Sequence, residues 1–155
     1  MSKQFDLAVL GGGPGGYLAA IRAAQLGAKV ALVEKERIGG TCLTRGCIPT
    51  KTLLRSAELL WLLRHQAPAY GVRAQGLEFD WAQAQARKAE VVRYLRGGLE
   101  VLLFKNGVEV HQGRGRLAGP GRVAVATDRD EETLLARHVI IATGSRPKSL
   151  PGVTI

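Results

Sequence analysis

DLAVLGGGPGGYLAAIRAAQLGAKVALVEK, residues 6–35, decides the fold of this chain. Residues 5–10 are apolar apart from Asp6, the composition of a parallel strand buried on both faces. Gly11-Gly12-Gly13-Pro14-Gly15-Gly16 follows. Residues 17–26 then have helical character, with Leu18, Ile21 and Gln25 along one side, and Gly27 is placed to close the helix. Residues 29–33, KVALV, apolar after Lys29, read as a second strand closed by Glu34. Strand, glycine turn, helix and strand within about 30 residues make a βαβ unit, so the expected class is α/β, Rossmann-like, with a parallel sheet and right-handed crossover.

The glycine turn carries chemistry as well as geometry. Gly11-x-Gly13-x-x-Gly16 has the context a dinucleotide fingerprint requires: a strand before it, a helix after it and an acid at the end of the next strand. The first glycine permits the tight turn, the second lets the backbone approach a pyrophosphate, and the third lets helix and strand pack closely. The helix start at residues 14–17, with Pro14 and Gly15 in it, offers main-chain N–H groups and a positive dipole end to phosphate. Glu34 follows Gly16 by 18 residues and is placed to accept hydrogen bonds from ribose hydroxyls. Its charge would repel a 2′-phosphate, so FAD or NAD fits and NADP fits poorly. A second match, Gly113-x-Gly115-x-x-Ala118, runs into Gly119-Pro120-Gly121 instead of a helix and reads as a turn between strands.

Working outward, GGTCLTRGCIPTK, residues 39–51, holds the only two cysteines, Cys42 and Cys47. Zinc requires four ligands, and His65, His111 and His138 are too dispersed to complete a set. A structural disulfide over so short a loop removes little entropy. Inert buried thiols are the plainest alternative, but they rarely stand between Gly40 and Gly46. A redox disulfide remains. In an ideal helix, residues five apart have Cα atoms about 8–9 Å apart, whereas a disulfide tolerates at most about 7 Å. A bridge therefore requires a distortion at the start of the helix, with Gly46 as the point that yields. A helix N-terminus also lowers a thiol pKa.

The remaining pattern supports one domain. Pro49 suits the first turn of a helix running through Leu53, Leu54, Leu60 and Leu63, expected as a buried leucine face. Residues 67–76 read as a loop. Asp80, with Gln83 three residues on, caps a helix to about Phe104 along Val91, Leu95, Leu99 and Leu102, with a possible interruption at Gly97-Gly98. Short β runs follow at 108–111, 122–126 and 137–142, separated by the turn at 119–121 and the polar stretch 127–133, and the domain is expected to add a small antiparallel β element to its parallel sheet. The domain is expected over residues 1–146, with 147–155 as a linker.

Composition narrows the function. The 155 residues are 46% hydrophobic, with no apolar run long enough to span a bilayer and no signal-peptide pattern at the start. The expected compartment is the cytoplasm, where paired cysteines tend to be catalytic, redox-sensing or metal-binding. The net charge of +9 is scattered and lacks aromatic interleaving, so neither a nucleic-acid nor a membrane partner is expected.

The cysteine motif, placed after the βαβ unit and followed by HVIIATGSRP at residues 138–147, resembles the flavin-dependent pyridine nucleotide–disulfide oxidoreductases, and most closely their lipoamide branch. The resemblance covers nearly the whole chain and implies the FAD-binding domain of such an enzyme. It implies that Cys42 is the interchange thiol that meets substrate and that Cys47 is the sulfur beside the flavin, with Lys51 near its ring. It places Gly40 and Thr41 on the FAD phosphates, alongside Gly11, Gly13, Pro14, Gly15, Gly16, Glu34 and Lys35. Gly115 would meet adenine through its backbone, and Thr143-Gly144-Ser145 would border the cofactor. The implied substrate is dihydrolipoamide, in the setting of the lipoyl domain of a 2-oxo acid dehydrogenase complex, with NAD as co-substrate bound outside this chain. The implied assembly is a homodimer. None of the histidines has the His-Pro context of the family's acid–base pair, so the chain is expected to be the FAD-binding part of a longer polypeptide, unable to turn over alone. Glutathione- and mercuric-reductase types share the cysteine frame, and a non-catalytic nucleotide-binding redox module is the alternative from another class.

Overall fold

A computed structural model describes residues 3–152. The chain divides into two compact units, one formed by Met1–Arg37 with Leu103–Ile155 and the other by Ile38–Leu102. The last residues of the expected linker, 153–155, lie outside the described residues.

The first unit contains β1 (Gln4–Leu10), α1 (Pro14–Gln25), β2 (Val30–Glu34), β3 (Glu109–Gln112), β4 (Arg114–Leu117), β5 (Arg122–Ala126) and β6 (Glu131–Ile141). These six strands form one sheet in the order β3-β2-β1-β6-β5-β4. The first four are parallel neighbours, and β4, β5 and β6 form an antiparallel meander. The expected parallel sheet with a small antiparallel element is the observed architecture. β6 belongs to both parts: Leu135 faces Arg122 of β5 and Gln4 of β1.

The apolar runs read in the sequence are the centre of this unit. Val9, Val30, Leu32 and Val33 are essentially inaccessible. Phe5, Ala8, Leu10, Ala31 and Val33 form one core cluster with Val123, Val125, Leu134 and Ala136 of the meander. Each fully buried side chain of this size contributes about 1.5–3 kcal/mol relative to exposure. A Cβ on Gly115 of β4 would stand 2.7 Å from Leu10 and 3.1 Å from Val33, so the strand lies directly over the ends of β1 and β2. α1 closes as Gly27 was expected to close it. The Ala28 N–H donates to the Ala23 carbonyl and the Gly27 N–H to the Ala24 carbonyl, the two bonds of a Schellman end.

A charged cluster ties β3 to the rest of the sheet. Lys3 pairs with Glu109, and the buried His111 lies 2.6 Å from Glu132 through Nδ1 and 3.3 Å from Glu109 through Nε2. The hydrogen bond from Lys3 holds the Glu109 carboxyl below its ordinary value and, reciprocally, raises Lys3.

The second unit contains α2 (Gly40–Thr44), α3 (Cys47–His65), a short 3-10 turn (Ala67–Tyr70) and most of α4 (Trp81–Lys105). Asp80 caps α4 as expected, its Oδ1 accepting from the Gln83 N–H at 2.9 Å. α4 runs through Gly97-Gly98 without a break. No helix among the described residues is long and apolar enough to cross a membrane.

Four expectations need correction. β4 occupies residues read as a turn, because pairing with β5 from Arg114 to Leu117 overrides the local glycine signal. β6 begins at Glu131, inside the stretch read as a polar separator, because Glu131, Glu132 and Thr133 complete the ladder with β5. Residues 67–76 open with the 3-10 turn rather than as plain loop. The leucine face of α3 is not buried: Leu54 and Leu63 are exposed, and Leu53 and Leu60 are only half-buried. Within its unit α3 packs on the five-residue α2 and the 3-10 turn, and such short neighbours cannot cover a helix of 19 residues.

Candidate functional site

The glycine loop sits where the sheet changes direction. The chain builds outward from β1 through β2 to β3, then returns to the other side of β1 as β6. The loops after β1 and β6 therefore leave the same carboxyl edge of the sheet, the switch point where open α/β sheets bind ligands. The Ala142 N–H donates to the Leu10 carbonyl at 2.8 Å, which brings Thr143-Gly144-Ser145 out beside the glycine loop.

At two positions the loop has no space for a side chain. A Cβ on Gly11, whose φ is +105°, would collide with the carbonyl of Ala142, and one on Gly16 would collide with the carbonyl of Gly11. Gly13 is the N-cap of α1, and its carbonyl accepts from the N–H groups of Gly16 and Tyr17, both at 2.9 Å. Pro14 stands at the helix start, where its fixed φ suits the first turn and its missing N–H costs nothing. This N-terminus has no side-chain cap and no acid in its first turn, leaving the positive end of the helix dipole for an anion.

Glu34 is half-buried at the end of β2. Its Oε2 accepts from the Gly12 N–H at 2.7 Å and its Oε1 from the Glu36 N–H at 2.8 Å. Each oxygen keeps lone-pair capacity, since a carboxylate has about four acceptor sites. The Glu34 carbonyl accepts from the Gly113 N–H at 2.9 Å. Gly12 was not singled out in the sequence, and Gly113 only as the start of the second glycine match. Gly12 lies between the fingerprint glycines without being one of them, so motif spacing gave no reason to choose it. Lys35 is exposed and 3.7 Å from Glu36. Gly115 has a packing reason to lack a side chain, its close approach to Leu10 and Val33.

In the second unit, Cys42 and Cys47 form a disulfide with Cα atoms 4.6 Å apart. That is about half the ideal-helix separation, and the local chain shows how it is reached. α2 stops at Thr44, and the N–H groups of Arg45 and Gly46 both donate to the Thr41 carbonyl, at 2.9 and 2.7 Å. α3 then restarts at Cys47 with Gly46 as its N-cap. A Cβ at Gly46 would stand 3.1 Å from the Thr41 oxygen, so the expected yielding point is where the two helices part. Cys42 is half-buried. Cys47 is exposed, in the first position of a 19-residue helix whose first turn has no acid. Gly40 and Thr41 belong to α2, and Lys51 is exposed one turn beyond Cys47. The hydroxyls of Thr44 and Thr52 donate to the carbonyls of Gly40 and Ile48, at 2.7 and 2.8 Å.

The pattern described as "Pyridine nucleotide-disulphide oxidoreductase" matches residues 5–154. The chain belongs to this family. It is 53% identical to a dihydrolipoyl dehydrogenase of Zymomonas mobilis over 99% of its length, covering 33% of that protein. It is 47% identical to one of Bacillus subtilis over 100% of its length, covering 34% of that protein. The chain thus spans about a third of the length of these relatives. Among solved structures it is similar to the Cu(II) complex of the HOCl-induced flavoprotein disulfide reductase RclA from Escherichia coli. That match has a TM-score of 0.80 and 27% identity, covering 97% of this chain and 31% of the other. The family membership implies FAD as cofactor, and an oxidoreductase activity accords with the names of the relatives.

Proposed function

We propose that this chain is the flavin-binding and disulfide-bearing part of an enzyme that oxidises dihydrolipoamide to lipoamide, electrons passing through Cys42–Cys47 and FAD to NAD⁺. The observation that carries the reading is the disulfide closed across the break between α2 and α3, with Cys47 exposed at the start of α3.

The first unit suits FAD. A Cβ at Gly11 or Gly16 would meet main chain, as the tight turn and the close helix–strand packing of a dinucleotide fingerprint require. The start of α1, with Gly13, Pro14, Gly15 and Gly16, would hold the phosphates. Glu34, beside Lys35, would accept from the ribose. Gly115 and Thr143-Gly144-Ser145 border the cofactor in this assignment, and Gly40, Thr41 and Lys51 are its contacts from the disulfide segment. When bound, FAD supplies two-electron acceptor chemistry.

The chain's own residues do the sulfur chemistry. A dihydrolipoamide thiolate attacks the Cys42 Sγ, forming a mixed disulfide, and Cys47 leaves as a thiolate. The second dihydrolipoamide thiol attacks the mixed disulfide and frees Cys42. The dithiol is oxidised to lipoamide, and the protein disulfide is reduced to two thiols. The N-terminus of α3 stabilises negative charge on Cys47. The NAD site, the acid–base pair, the homodimer contacts and docking of a lipoyl domain are assigned to the longer protein.

The test is reconstitution with FAD, followed by a comparison of dihydrolipoamide with reduced glutathione as reductants of the Cys42–Cys47 bond. Tight flavin binding and at least tenfold faster reduction by dihydrolipoamide support the reading. Preference for glutathione moves the chain to another branch of the family, and failure to bind flavin refutes the assignment.

A further inference from the structure

Gln112, the last residue of β3, stands directly opposite Glu34 in the parallel ladder with β2. Its Nε2 donates to the Glu36 carbonyl at 2.9 Å. A carbonyl only accepts, so the amide nitrogen must be the atom that faces it. The Glu36 main chain is thereby held on both sides, since its N–H donates to Glu34 Oε1 at 2.8 Å. Glu34 Oε2 accepts from the Gly12 N–H at 2.7 Å, and the Glu34 carbonyl accepts from the Gly113 N–H at 2.9 Å. The strand that presents Gln112 is firmly seated. His111, one residue earlier, is buried, lies 2.6 Å from Glu132 and meets the Phe5 ring edge-on at 5.7 Å. An exposed glutamine on a fixed strand therefore ties down the turn that follows Glu34.

We propose that Gln112 is a positioning residue for the adenosine end of the flavin cofactor, holding the Glu36 turn so that the Glu34 carboxylate stays aimed at the ribose hydroxyls. The inference rests on the reading of Glu34 as the ribose acceptor and adds the residue that sets how well it performs. Gln112 acts through Glu36 and not by touching the cofactor. With the amide bond in place, the carboxylate is oriented by one N–H on each oxygen. Without it the turn at residues 35–36 gains freedom, and the hydrogen bond from the Glu36 N–H is made only part of the time. Ordering the carboxylate then falls on cofactor binding, which weakens the affinity. The net worth of one such hydrogen bond corresponds to about two- to tenfold in a binding constant.

FAD binding to the purified protein is titrated by flavin fluorescence in wild type, Gln112→Ala and Gln112→Met, and each is repeated in a Glu34→Ala background. Methionine keeps the length of the side chain and removes the donor. The expected result is a loss of about two- to tenfold for both variants, with unchanged far-UV spectra. In the Glu34→Ala background the same changes at Gln112 leave FAD affinity where it was. Gln112→Lys, which retains a donor, restores the affinity at about 1 M salt, where the screening length of about 3 Å suppresses the added charge. Unchanged affinity in Gln112→Met overturns the proposal. An equal loss in both backgrounds also overturns it, because a purely structural role acts without Glu34. Wild type that binds FAD no better than Glu34→Ala overturns the ribose reading of Glu34, and a protein that binds no flavin overturns the cofactor assignment itself; the proposal falls with either.

Discussion

Reducing Cys42–Cys47 should weaken the chain only modestly. The bond joins residues separated by five positions. The unfolded-state entropy removed by a cross-link is about 2.1 + 1.5R ln n cal/mol/K, or about 7 cal/mol/K for so short a loop. At 25 °C that is about 2 kcal/mol. For a chain of this size, such a loss lowers Tm by about 4–8 °C. The break between α2 and α3 is also held by main-chain bonds, from Arg45 and Gly46 to Thr41 and from Thr50 to Gly46, so it does not depend on the sulfurs alone. Far-UV circular dichroism melts of the oxidised chain, the chain reduced with a phosphine, and Cys42→Ser/Cys47→Ser should show the same helix content at 25 °C and this small shift. Collapse of the helical signal on reduction would refute the reasoning, since the disulfide would then be a structural staple. A bond that contributes so little to stability is also one that a dithiol can open without unfolding the protein.

Gly16→Ala should cost about 1–3 kcal/mol in urea unfolding, because its Cβ meets the Gly11 carbonyl rather than a flexible side chain. The same change should weaken FAD binding, as read by flavin fluorescence titration, by at least tenfold. Glu34→Ala removes the acceptor of the Gly12 and Glu36 N–H groups, and hydrogen bonds to a charged group are worth about 1.5–3 kcal/mol each, so both stability and flavin affinity should fall. The Lys3–Glu109 pair predicts a pH profile. The Glu109 carboxyl is held below its ordinary 4.5, so its contribution is complete above that pH and lost as pH falls through the lowered value. Lys3 is raised above 10.5, so its contribution is complete below that pH and lost as pH rises through the raised value. Glu109→Gln should flatten the acid limb in denaturation followed between pH 2 and 6, roughly the span over which a lowered carboxyl titrates.

The fold was legible where local chemistry and tertiary need coincide. Residues 5–10 and 29–33 announce buried strands because both faces are covered, and Gly27 announces a helix end because both Schellman bonds form there. Gly46 was legible through arithmetic alone, since a bridge between Cys42 and Cys47 is incompatible with one continuous helix. Legibility failed where pairing partners decide the structure. β4 contains Gly115 and is followed by Gly119-Pro120-Gly121, turn signals that cross-strand bonds to β5 overrule. The first residues of β6, Glu131 to Thr133, are polar and become strand only because β5 lies opposite. The leucines of α3 follow a helical period, but periodicity does not say whether a neighbour large enough to bury them is present. Of the candidate site, the fingerprint glycines, Glu34 and the cysteine pair were readable from spacing. The role of Gly12 as a donor to Glu34 was not, since a main-chain bond leaves no mark on residue type.

The account turns on the cysteine pair relaying electrons from a dithiol to the flavin. The most direct measurement is anaerobic addition of dihydrolipoamide to the FAD-loaded protein, following the flavin's visible absorbance, in wild type and in Cys42→Ser and Cys47→Ser. The account predicts that dihydrolipoamide bleaches the wild type, while both variants keep their colour with it yet bleach with dithionite. Bleaching of either variant by dihydrolipoamide at the wild-type rate would contradict it.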